Sequence, residues 1–230
     1  MKMLLALGLW ACAGLAVAQV GPSPAQAAGY SGLHAAAWRG DAAAVARAGR
    51  SELEARDSHG RTPLHVATFA GRHEVIRALA KSGAELGAFE NDRYDAVTIA
   101  AVVDDEATLA LLLELGASAR LTTSRYDGTA LIAAAHLGHD GVVRQLIKAG
   151  APLDHVNNLH WTALIEAVVL GDGGARHQRV VQDLLAAGAS TRLADREGRT
   201  PLMLARARGY LAMTLQLEAA CAGGATGSRC

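Results

Sequence analysis

One unit of about 33 residues recurs through this chain, and that recurrence constrains the fold more than any single motif. Its cleanest copy is residues 60–83, GRTPLHVATFAGRHEVIRALAKSG. Thr62 stands before Pro63, so the pair predicts a helix start: the hydroxyl can accept from orphan N–H groups, and Pro lacks only an N–H the first turn does not use. Leu64, Val66 and Ala67 give a short apolar side. Gly71 ends this helix. Val75, Ile76, Leu79 and Ala80 then form one stripe of a second helix, closed by Gly83. Two helices this short cannot bury a core alone, so a neighbour must stack on them.

The repeat supplies the neighbours. The apolar residue after the Thr-Pro position recurs as Leu33, Leu64, Val97, Leu131, Leu164 and Leu202, in steps of 31, 33, 34, 33 and 38. Thr62-Pro63-Leu64-His65-Val66-Ala67 weakens to Thr129-Ala130-Leu131, Thr162-Ala163-Leu164 and Thr200-Pro201-Leu202. The second stripe returns as Leu109, Leu112 and Leu113, as Val142, Val143, Leu146 and Ile147, and as Val180, Val181, Leu184 and Leu185. Gly-Ala follows each, at Gly116, Gly150 and Gly188. This period with T-P-L-H-x-A resembles the ankyrin-repeat family over about residues 33–220. The resemblance implies an all-α solenoid of about six helix-turn-helix units with short hairpin-like turns. The units expected are 31–58, 59–91, 92–125, 126–158, 159–196 and 197–220. It also implies that His34 and His65, at the T-P-L-H position, are structural, bridging backbone groups of neighbouring turns.

The ends read differently. Lys2 precedes an apolar run, and Ala16-Val17-Ala18 forms an A-x-A site, with Ala25-Gln26-Ala27 a second. Residues 1–18 are therefore expected to be a secretory signal peptide, cut as late as residue 27 if the second site is used. That places the mature chain in the periplasm, with no membrane contact once the signal is gone. Residues 19–30 read as a flexible Pro, Gly and Ala leader, and 221–230 as a flexible tail. Cys221 and Cys230, in that tail, can close a disulfide in an oxidising compartment or remain thiols.

Within the repeats, the first is degenerate: its second half offers Val45 and no Leu-Leu pair, as suits a terminal cap. Asp104-Asp105-Glu106 stands just ahead of a helix, where acids meet the positive end of the dipole. Repeat five carries an insertion. Leu131 to Val142 spans 11 residues, but Leu164 to Val180 spans 16, so residues 171–179 hold five extra. Insertions in solenoids map to loops on one face, often a functional one.

No catalytic, metal or cofactor site emerges. The nine histidines include no H-E-x-x-H, and no cysteine pair completes a zinc set. Neither G-x-S-x-G nor a P-loop is present. Lys plus Arg equals Asp plus Glu, 22 each, which offers no electrostatic funnel for nucleic acid. What remains is a surface. Arg93-Tyr94, Arg125-Tyr126, Asn157-Asn158 and His160-Trp161 fall at successive turn tips, and Arg176 and His177 sit in the insertion. Tyr, Trp and Arg are enriched at interface hot spots, though rings at neighbouring tips can also simply pack the stack. The function expected is a monomeric, non-enzymatic scaffold that binds a partner protein through its concave turn-tip surface. The alternatives are a metal-handling or enzyme-associated accessory factor, or an enzyme with an unrecognised site.

Overall fold

A computed structural model describes residues 21–223. Residues 1–18, read as a signal peptide, and Cys230 lie outside them. Each repeat folds as two helices joined by a tight turn. Repeat one holds α2 (Gly32–Arg39) and α3 (Ala42–Val45), followed by a single turn, α4 (Arg50–Leu53). Repeats two and three hold α5 (Pro63–Phe69) with α6 (His73–Lys81), and α7 (Ala96–Val102) with α8 (Glu106–Glu114). Repeats four to six hold α9 (Ala130–Leu137) with α10 (Asp140–Lys148), α11 (Ala163–Val169) with α12 (Ala175–Ala186), and α13 (Pro201–Ala207) with α14 (Leu211–Gly223). No strand forms among the described residues; there is one isolated antiparallel bridge, Thr123 to Gly128.

The helices stack in two rows. The first helices, α2, α5, α7, α9, α11 and α13, pack in order, and so do the second helices, α3, α6, α8, α10, α12 and α14. The repeated apolar positions meet between the rows. Leu64, Val97, Leu131 and Leu164 are buried, as are Val75, Ile76 and Leu79 in α6 and their counterparts Val142, Val143 and Leu146 in α10. Burying each such side chain contributes about 1.5–3 kcal/mol, and no repeat could collect that without its neighbours.

Histidine joins the rungs as the sequence implies. His34 Nε2 lies 2.8 Å from the Arg61 carbonyl of the next repeat. The Thr62 N–H donates to His65 Nδ1 at 3.0 Å, so the proton of the neutral ring is on Nε2, which faces the Tyr94 carbonyl at 3.2 Å. Asp105 caps α8, its carboxylate accepting from the Thr108 N–H. The degenerate repeat one does shorten, its second helix keeping four residues.

Three boundaries differ from the sequence reading. The leader is not wholly flexible: α1 (Pro24–Ala28) forms, because Ser23 and Gln26 exchange side-chain to backbone hydrogen bonds in a capping box that Pro24 follows. Tyr30 then ties it to the first turn tip, donating to Asp57 at 2.8 Å. At the other end, α14 runs through Ala222 to Gly223, because alanines favour helix, so the tail starts later than residue 221. Cys221 therefore sits on a helix; it is disulfide-bonded, while Cys230 is outside the described residues. Finally, the insertion is mostly not loop. It lengthens α12 to 12 residues, against nine in α6, α8 and α10.

Candidate functional site

The turn tips share one construction. A side-chain oxygen at position i accepts from the N–H groups of i+2 and i+4, an Asx-type turn. Asp57 does this for His59 and Arg61, Glu90 for Asp92 and Tyr94, Asn157 for Leu159 and Trp161, and Asp195 for Glu197 and Arg199. In repeat four, Ser124 Oγ serves Tyr126 and Gly128. Position i+3 is left-handed in each regular tip. Gly60 and Gly198 hold it at φ 73°, but Arg93 and His160 hold it at φ 64°. A side chain there costs about 1 kcal/mol relative to glycine. His160→Gly is therefore expected to raise the unfolding free energy by about 1 kcal/mol in urea titration. An unchanged or lowered value would show that the imidazole makes compensating contacts.

Neighbouring tips are laced together. Ser124 N–H donates to the Arg93 carbonyl at 3.0 Å, and Asn158 N–H to the Tyr126 carbonyl at 2.9 Å. Arg93 pairs with Asp127 at 2.8 Å, and Arg125 with Asp92. Both arginines are exposed, so these pairs add little stability. They leave Arg93, Arg125, Asn158 and His160 on the outer rim.

Behind that rim the tips and the first helices of repeats three to five enclose a cavity of ≈ 250 Å³. Tyr94, Tyr126 and Trp161 line it at the tip end; Ile132, Leu137, Leu159 and Leu170 continue the apolar wall. It follows α9 from its cap residue Thr129 to Leu137, about 12 Å at the helical rise. The expected residues Tyr94, Tyr126, Asn157 and Trp161 are thus brought together.

Sequence reasoning missed the polar end of this cavity. Glu166, on α11, is buried, with its side chain 5% exposed. Asn157 Nδ2 donates to its Oε1 at 3.0 Å. His136 Nδ1 stands 3.3 Å from Oε2, yet Oε2 accepts no hydrogen bond among the described residues. A signal existed. The residue at this register is Ala35, Val66, Ile99, Ala133 and Leu204 in the other repeats, and an acid only here. The tip residue that grips its own turn is Asp57, Glu90 and Asp195 elsewhere, but here it is Asn157, whose amide can donate as well as accept. The two departures are partners. Ala133, small and half-buried on the adjacent helix, lines the cavity beside them.

The insertion residues go elsewhere. It joins the far ends of α11 and α12, away from the tips, so Arg176 and His177 do not extend the turn-tip surface. His177 is buried; its Nε2 lies 2.9 Å from the His136 carbonyl and its Nδ1 2.9 Å from Asp172. A Cβ at Gly138 would meet that imidazole at 2.8 Å, so the ring needs the glycine to lie where it does. His177 thereby braces the end of α9 that carries His136. Arg176 bonds Asp104 at 2.7 Å and Asp140 at 3.2 Å. With Arg144 and Arg179 it surrounds Asp140, and the Arg179 hydrogen bond first of all holds that carboxyl well below the usual range. Among the described residues no three His, Cys, Asp or Glu side chains gather to hold a metal ion. No described helix is long and apolar enough to cross a membrane.

Comparison with known proteins gives the same architecture. The family model for ankyrin repeats, in three copies, matches residues 11–90 and 97–189. The chain is 33% identical over 160 residues to the ankyrin repeat protein YahD of Escherichia coli K12, covering 69% of this chain and 79% of that one. An ankyrin repeat domain from Acinetobacter baumannii AYE superposes with a TM-score of 0.76 at 41% identity, over 82% of this chain and 96% of that one. The ankyrin repeat protein EF0377 gives 0.73 at 29%, over 82% and 98%.

Proposed function

Since the chain belongs to the ankyrin-repeat family, whose repeats generally mediate protein–protein interaction, we propose that it is a non-enzymatic scaffold that captures a partner protein on its concave face. The observation that carries this is the cavity of repeats three to five. Three aromatic rings from three successive tips line one apolar hollow that the fold itself does not fill. Tyr and Trp bring large contact area at a small cost in lost rotamers, and a preformed hollow ringed by polar tips has the anatomy of a hot spot. The amino-terminal signal read in the sequence supports action outside the cytoplasm, in the periplasm.

The test is capture from a periplasmic extract by wild-type protein and by Tyr126→Ala/Trp161→Ala. Both residues are only half-buried, so the double variant is expected to keep its helical spectrum and cooperative melt. Capture should fall by about 30-fold or more, the loss of one to two hot spots. If the variant unfolds and no loss of binding can be separated from that, the rings are mortar between repeats.

A further inference from the structure

The cavity has a chemistry that a generic protein contact does not require. Its walls are aromatic and aliphatic, and a buried carboxylate stands at its polar end. Oε1 of Glu166 is taken by Asn157, while Oε2 accepts no hydrogen bond. A buried acceptor without a donor costs stability, a cost that a donor brought by a partner would relieve. His136 does not supply it: its Nδ1 is close, at 3.3 Å, but not aligned. Nor do the arginines of the rim, since Arg93 and Arg125 are turned to Asp127 and Asp92.

Resting on the reading of the concave face as a partner-binding surface, we propose that this cavity receives a lysine side chain of the partner, its ammonium pairing with the Glu166 carboxylate; Oε2 is covered in the free protein, so the neighbouring His136 side chain must give way as the ammonium enters. The complementary group must be apolar along its sides and cationic at its tip. A lysine has that profile, with a four-carbon stem to lie along apolar walls and one compact charge at the end. The rings of Tyr94, Tyr126 and Trp161 add to the apolar wall along which the stem can lie. Arginine fits less well, because its fork binds best to two free carboxylate oxygens and Asn157 already holds one.

The paired departures at positions 157 and 166 are what such a site needs. An acid at position 157, as at the tips of repeats two, three and six, would face Glu166 with a like charge. Asn157 instead keeps the tip closed and fixes the carboxylate in place. His177 acts at one remove: by contacting the His136 carbonyl it sets the end of α9 that walls the site.

The experiment titrates the protein with three probes: Nα-acetyl-lysine amide, Nα-acetyl-norleucine amide and Nα-acetyl-arginine amide. The Trp161 indole N–H resonance reports binding. The lysine probe is expected to bind about tenfold or more tighter than the uncharged norleucine probe, and tighter than the arginine probe. In Glu166→Gln the lysine and norleucine affinities should converge. Equal affinities in the wild type, a preference for arginine, a preference that survives Glu166→Gln, or no response of the indole to any probe would each overturn the assignment. The wild-type ratio decides the matter even if Glu166→Gln folds poorly. Partner capture is scored separately. Capture that depends on Tyr126 and Trp161 without cation selection leaves the scaffold standing and removes the lysine; loss of both removes the two together.

Discussion

Acidification from pH 6.5 to 4 is expected to strip about 3 kcal/mol from the folded state through His65 alone. Burial drives this imidazole down from 6.5 to about 4, because the ring is fully covered and its charged form would lose water. Its bonding adds a geometric reason. Nδ1 accepts the Thr62 N–H, so a second proton would have to displace that contact. Between the two values the unfolded chain binds a proton that the folded chain refuses. Stability is therefore full above pH 6.5, declines as the pH falls, and levels off near 4. Urea midpoints at pH 7 and pH 4.5 measure the decline, and His65→Gln should flatten it while lowering stability at pH 7. An equally steep decline in the variant would place the acid sensitivity elsewhere. Asp95 works in the opposite sense. Burial raises its carboxyl above the ordinary value, so its folded form gains protons first and the fold gains stability as the pH falls. Asp95→Asn removes that offset and is expected to steepen the loss as the pH approaches the carboxyl range.

His65 also shows what a sequence of this kind discloses. His65 was legible because it recurs in the frame of T-P-L-H, and a repeated position inherits the reason for its repetition. The helical stripes were legible for the same cause: Leu64, Leu131 and Leu164 mark one register, and registers predict which faces meet. Glu166 and Asn157 were harder. Each is ordinary read singly, and their meaning lies in departing together from copies 33 or more residues away. The cavity beside them is lined by Ala133, a neighbour in space whose smallness has no local signature. Arg176 and His177 were misplaced because an insertion looks like a loop by composition. The structure instead winds part of it onto α12, buries His177 against the His136 carbonyl and pairs the exposed Arg176 with Asp104 and Asp140.

Leu131→Ala is expected to cost about 3–5 kcal/mol and to split unfolding into two steps. Leu131 is fully buried in the middle first helix, between α7 and α11. Truncating such a residue removes its transfer free energy and leaves a hole that rigid neighbours cannot close. In a globular core that loss would lower one cooperative transition. In a solenoid each repeat is held by its neighbours, so weakening a central repeat uncouples the two ends. The chain carries its own reporters for this, with Trp38 in repeat one and Trp161 in repeat five. In variants that keep one tryptophan or the other, the fluorescence transitions in urea should coincide without the substitution. With Leu131→Ala they should separate, Trp161 leading, because the cavity around it borrows Ile132 and Leu137 from the damaged helix. The same logic ties stability to function: partner capture should follow the Trp161 transition and not the Trp38 transition. If both tryptophans report one shared, shifted midpoint, the stack unfolds as a single unit, and coupling between repeats outweighs the stability of any one of them.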